Sequence, residues 1–79
     1  MPRFFLHSEQ ESSRAVDEEG IDAADVEAAR RIAIKAASDI AADALCRGAE
    51  RVCERIVIAN DEGRVVATVA VQACVRIDG

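Results

Sequence analysis

At 79 residues the chain has room for one domain with one core and no second unit. An apolar fraction of 51% argues against a disordered polymer, yet Phe4 and Phe5 are the only aromatics, so packing must rest on small and β-branched side chains. A formal net charge of −5 is unsuited to nucleic acid or anionic membrane, which are held through clustered Lys and Arg.

A core this small gives modest stability, and domains of this size often lean on a disulfide, a metal or a partner subunit. No stretch approaches the roughly 20 apolar residues that cross a bilayer, and Phe4-Phe5-Leu6 is too short for a secretory core. A cytoplasmic location is therefore expected, with Cys46, Cys53 and Cys74 as reduced thiols that serve as small buried hydrophobes.

In chain order, Arg3 to His7 predicts a short aromatic strand, and Ser8 to Ser13 a polar loop. Arg14 to Asp17 predicts a second brief strand with Val16 turned inward. Asp17-Glu18-Glu19-Gly20 is a turn, because glycine takes positive φ at little cost. Between Glu9 and Glu27 eight acids, Glu11 among them, stand against Arg14 alone. They read as a solvated loop entering a helix, or as a docking segment for a basic protein partner.

The helix start is signalled by Asp22 as N-cap, with Ile21 and Val26 placed for a hydrophobic staple; Asp25 is the alternative cap, one turn later. Gly48 is the natural stop, with Arg47 in the last turn. Between them Val26, Ala29, Ala33, Ala37, Ile40, Ala41, Ala44 and Leu45 fall on one face at helical spacing. Glu27–Arg31 and Lys35–Asp39 are i,i+4 pairs on the other side, where Ile32 projects away from the apolar stripe.

The remainder predicts a hairpin, with strands Arg55 to Ala59 and Arg64 to Val71 or beyond, joined by Asn60-Asp61-Glu62-Gly63. Alternation turns Ile56, Ile58, Ala67, Val69 and Val71 toward the helix. It leaves Val57, Val66, Thr68 and Ala70 on an opposite face that is unusually apolar for contact with water. The expected architecture is α+β in the order ββαββ: a small antiparallel sheet with one long Ala-rich helix on one face.

Chemistry finds little foothold. The cysteines lack the close spacing of a zinc site, and His7 is the only histidine. His7 and Ser8 point to opposite sides of a strand, so a structural hydrogen bond suits His7 better than a catalytic dyad. Asp17, Glu18 and Glu19 lack the ligand spacing of a calcium loop, and the glycines form no phosphate-cradling loop. No catalytic, metal or cofactor residues are expected, and the chain reads as non-enzymatic.

The opening Met1-Pro2-Arg3-Phe4-Phe5-Leu6-His7, the turn Asp17-Glu18-Glu19-Gly20, the helical Glu27-Ala28-Ala29-Arg30 and the hairpin Asp61-Glu62-Gly63-Arg64-Val65-Val66 resemble a family of short bacterial proteins classed only as a domain of unknown function. Leu6 stands where that family usually has another Phe, and Ala70-Val71 where Pro-Phe is common. The resemblance implies a small α+β domain of the bacterial cytoplasm and carries no activity, ligand or site residue.

The function expected from the sequence is an interaction module that self-associates, as a homodimer, through its second sheet face or a strand edge. Val57, Val66, Thr68, Ala70 and Ile32 are the candidate contact residues. The alternative is a small regulatory protein that binds a basic protein partner through the acidic 9–27 segment.

Overall fold

The computed structural model describes residues 1–10 and 12–78; Glu11 and Gly79 lie outside the described residues. The elements are β1 (Arg3–Gln10), β2 (Ser13–Ala15), β3 (Ile21–Asp22), α1 (Val26–Cys46), β4 (Arg51–Ala59) and β5 (Val65–Cys74). The strands form one antiparallel sheet in the order β2-β1-β4-β5, with β3 also paired to β1. The chain is thus α+β and follows the expected order, with the two-residue β3 as an addition.

Helix α1 starts one turn later than the Asp22 cap allows. Asp25 is the N-cap, in extended conformation, and its carboxylate accepts from Ala28 N at 2.8 Å. Asp22 lies instead in β3, where it pairs with Arg3 at 3.3 Å. Ile21 and Val26 still pack against the common core, so the apolar contact outlives the change of cap. Arg47 is the C-cap residue, and Gly48 follows at φ +104, where its N–H donates to Leu45 O.

The buried stripe of α1 is Ala29, Ala33, Ala37 and Ala41, and the first three meet Phe4, Ile56, Ile58 and Val69 of the sheet. Ala67 and Val71 border this cluster, as alternation requires. Ile40, placed on the apolar face by spacing, stays 40% exposed at its margin. Glu27 pairs with Arg30 rather than Arg31, and Lys35 with Asp39 at 3.1 Å. In the hairpin Asn60 holds the turn: its Oδ1 accepts from Glu62 N and Arg64 N, while Gly63 takes φ +82.

Strand β1 runs three residues further than expected, because Ser8, Glu9 and Gln10 pair with β2, and Ser8 and Glu9 also pair with β4. On its outer edge β2 covers one end and β3 the other. Asp17 fills the gap between them. Its carboxylate accepts from Leu6 N (3.0 Å), Glu19 N (3.2 Å) and Gly20 N (3.0 Å), and its own N–H donates to His7 Nδ1 (3.0 Å). A side chain thereby does for β1 what a neighbouring strand would do. Val16, which was expected to face inward, is 61% exposed, since the chain leaves the sheet at Ala15 to place Asp17.

Gly20 closes this turn at φ +75, where an added Cβ would lie 2.9 Å from Arg3 Cγ and from the Phe4 carbonyl oxygen. Gly20→Ala is therefore expected to cost about 2 to 4 kcal/mol in urea unfolding. Gly48→Ala, with open space around it, should cost less; equal losses would show that the close approach at Gly20 is immaterial.

Burial raises the pKa of Asp17, but the three backbone donors, from Gly20, Leu6 and Glu19, together with His7 outweigh it and hold the carboxyl below its ordinary 3.8. Such a group stabilises the fold fully above its unfolded value, and the contribution is lost as pH falls through the lower folded value. Asp17→Asn keeps one oxygen for Glu19 N and Gly20 N and sets its NH2 donor against Leu6 N, a loss of about 1 to 3 kcal/mol at neutral pH. The gap between wild type and Asp17→Asn should narrow on acidification below that ordinary value; a gap independent of pH would remove the carboxylate from this role.

Candidate functional site

The register divides the sheet into two faces. Phe4, Leu6, Glu54, Ile56, Ile58, Val69 and Val71 look toward α1, while His7, Glu9, Arg55, Val57, Thr68 and Ala70 look away from it. The outer face is more polar than the short predicted strands implied. Extending β4 back to Arg51 and β1 on to Gln10 adds Arg51, Cys53 and Glu9 to it. Glu9 sits between Arg55 (3.8 Å) and Arg14 (3.9 Å).

The candidate contact residues separate on this surface. Thr68 and Ala70 are exposed side by side on β5. Val57 is only 8% exposed on the central strand, between His7 and Thr68. Val66 leaves the outer set: Ile58 pairs with Ala67 and Ala59 with Val65, so Val66 is the extra residue of a bulge. It packs half-buried against the helix-side core, where strict alternation could not put it. Ile32 is exposed on α1 beside Arg31, Lys35, Ala36 and Asp39, away from both Thr68 and Ala70.

Strand β5 forms the free edge of the sheet. Val75 N donates to Glu50 O, which sets the alternation of the β4–β5 ladder. The N–H and C=O groups of Thr68, Ala70 and Gln72 consequently point away from β4, and among the described residues no strand pairs with them. Across its ten residues, VVATVAVQAC, the strand carries no charge, proline or glycine.

The polar side chains offer little catalytic geometry. His7 is engaged by Asp17 N, as a structural histidine, and Ser8 lies across from Ile56. The oxygens of Asp17 serve amide donors, Asp22 serves Arg3, Asp25 caps α1 and Glu27 serves Arg30. Much of the acidic 9–27 segment is thus committed to the fold itself. Cys46, Cys53 and Cys74 are free and exposed, which corrects their expected burial. Cys53 and Cys74 fall on the outer side of the strand alternation, and Cys46 ends the helix. Among the described residues no three His, Cys, Asp or Glu side chains gather as a metal site.

One residue escaped the sequence reading. Glu54 is 2% exposed and faces α1; its Oε2 accepts from Gln10 Nε2 at 3.1 Å. Its Oε1 is buried without a hydrogen-bond partner among the described residues. The signal was available, since counting back by twos from Ile58 and Ile56 lands on Glu54 and Val52. A strand that starts at Arg55 hides it.

Among the described residues no helix is long and apolar enough to cross a membrane. Neither a curated protein nor a solved structure matches the chain. Residues 3–72, from the start of β1 to near the end of β5, match a family model, and the chain belongs to that family, the domain of unknown function DUF6894.

Proposed function

We propose that this domain is a non-enzymatic interaction module that self-associates as a dimer through the edge of β5. The observation that carries the reading is the contrast between the two sides of the sheet. The outer edge of β1 is covered by β2, β3 and the Asp17 carboxylate, whereas no strand among the described residues pairs with the outer edge of β5. Exposed edges are ordinarily guarded by charge, proline, a short length or a covering loop. Within β5 none of the first three is present, and the bulge lies at its far end.

A second copy fits this edge because antiparallel pairing of a strand with itself has two-fold symmetry and closes at two chains. The uncharged run superposes on its own reverse, with Arg64 and Arg76 beyond its ends. The helix adds to the fit. Ile40 lines a cleft with Gln10 and Ser12, so that flank of α1 looks toward β1. Ile34, 46% exposed on the other flank, then looks toward β5 and would approach its counterpart in a continuous eight-strand core sheet. The reading places the working molecule in the cytoplasm with its thiols reduced, and makes its partner protein rather than nucleic acid.

Light scattering after gel filtration should give twice the chain mass across a range of concentrations. Ala70→Pro removes an outward N–H while sparing the β4–β5 ladder, and should yield a folded monomer with an unchanged circular dichroism spectrum. A wild type that stays monomeric, or a variant that stays dimeric, defeats the reading. Capture of a strand from a different protein in place of the second copy would defeat self-association as well.

A further inference from the structure

Independently of what covers β5, the far end of the helix–sheet interface holds a cleft of about 280 Å³. Gln10, Ser12, Ile40, Ala44, Val52 and Glu54 line it. Glu54 carries the inference. A buried polar oxygen almost always has a partner, and a buried charge left unpaired is costly to the fold. Gln10 supplies one donor to Oε2, while Oε1 has none among the described residues.

We propose that this cleft is a binding site for a primary alkylammonium, whose NH3⁺ donates to Glu54 Oε1 and whose chain lies on Ile40, Ala44 and Val52. A cation suits the site on two counts. The carboxylate is its buried charged group, and the cleft adjoins the C-terminal turns of α1, the negative end of the helix dipole. Arg51 and Cys53 also border the cleft, but as neighbours of Val52 and Glu54 in β4 they project to the opposite face of the sheet.

The chemistry narrows the cation further. With Oε2 held by Gln10, the carboxylate has one buried, unpaired oxygen at the cleft wall, which matches a compact ammonium better than the two-pronged guanidinium. Gln10 and Ser12, which also line the cleft, are residue types that can accept the remaining ammonium protons. A divalent metal would require several oxygen ligands, and no cluster of three candidate ligands exists among the described residues.

The test is a titration of 15N-labelled protein with n-butylammonium chloride, with n-butanol as the uncharged control of equal chain length. Saturable shifts centred on Gln10, Ile40, Ala44 and Glu54 are expected, with little response to the alcohol. Glu54→Gln keeps the shape but not the charge and should bind about tenfold weaker or worse. Should that variant fail to fold, Ala44→Leu fills the cleft while leaving the carboxylate, and should also abolish the saturable shifts. Binding retained in either folded variant, an equal response to n-butanol, or shifts that rise linearly at surface acids would overturn the proposal. The Ala70→Pro variant should bind butylammonium as wild type does, so failure at the edge and failure at the cleft are separable.

Discussion

The close seating of α1 on the sheet is the constraint on which the rest depends. Ala29, Ala33 and Ala37 are completely buried, and each presents only a methyl group to Ile56, Ile58 and Val69. Larger side chains on that stripe would lift the helix and open the core, because interiors are packed without slack. The benefit is a tight contact; the consequence is a thin one, since each alanine removes little apolar area from water. Beside Ile58, the largest fully buried side chain is the charged Glu54. A core built this way leaves much of the stability to the hydrogen-bonded perimeter.

The perimeter is treated unequally. Around β1 the chain uses two short strands, the Asp17 carboxylate and a glycine that admits the backbone to within contact of Arg3 and Phe4. All of these features answer one requirement, that backbone donors near the core be satisfied. Strand β5 has the same requirement and no comparable device among the described residues. Since the same chain meets the requirement so thoroughly on one side, an intermolecular partner is the economical explanation for the other. The acidic segment gains a different meaning in this light. Several of its carboxylates brace the β1 side or cap α1, which weakens the case for a dedicated docking tail.

The helix and the hairpin were legible because their signals are periodic and local. Apolar spacing fixed the stripe of α1, and Asn60 through Gly63 announced the turn. What could not be read depended on contacts distant in sequence. Asp22 and Asp25 are both able caps, and only the pairing of Ile21–Asp22 with Arg3–Phe4 removes the former. Val16 has the side chain of an inward residue, but Asp17 must reach Leu6 and so pulls the chain out of the sheet. At Val66 the alternation rule fails because a bulge adds one residue to β5, and such a shift leaves no mark on composition. The exposure of Cys53 follows from the unforeseen start of β4 at Arg51, which sets it on the outer side of the alternation, whereas Cys46 is exposed at the end of α1.

The identity of residue 54 gives the last step. A leucine there would fill the interface at no electrostatic cost, and a glutamine could still accept from Gln10 through its carbonyl oxygen. Neither would bring a negative charge beneath the end of α1. The property that sets glutamate apart from both is therefore the one that the thin core is least equipped to tolerate unpaired. Nothing in the alanine stripe or in the sheet register requires a charge at this position, so its reason lies in what the adjoining cleft can hold. The edge of β5 and the carboxylate of Glu54 then represent the same kind of observation, a polar group with no partner among the described residues. They differ in the partner that completes them: a row of amides and carbonyls is completed by another backbone, a lone buried oxygen by a single cationic donor.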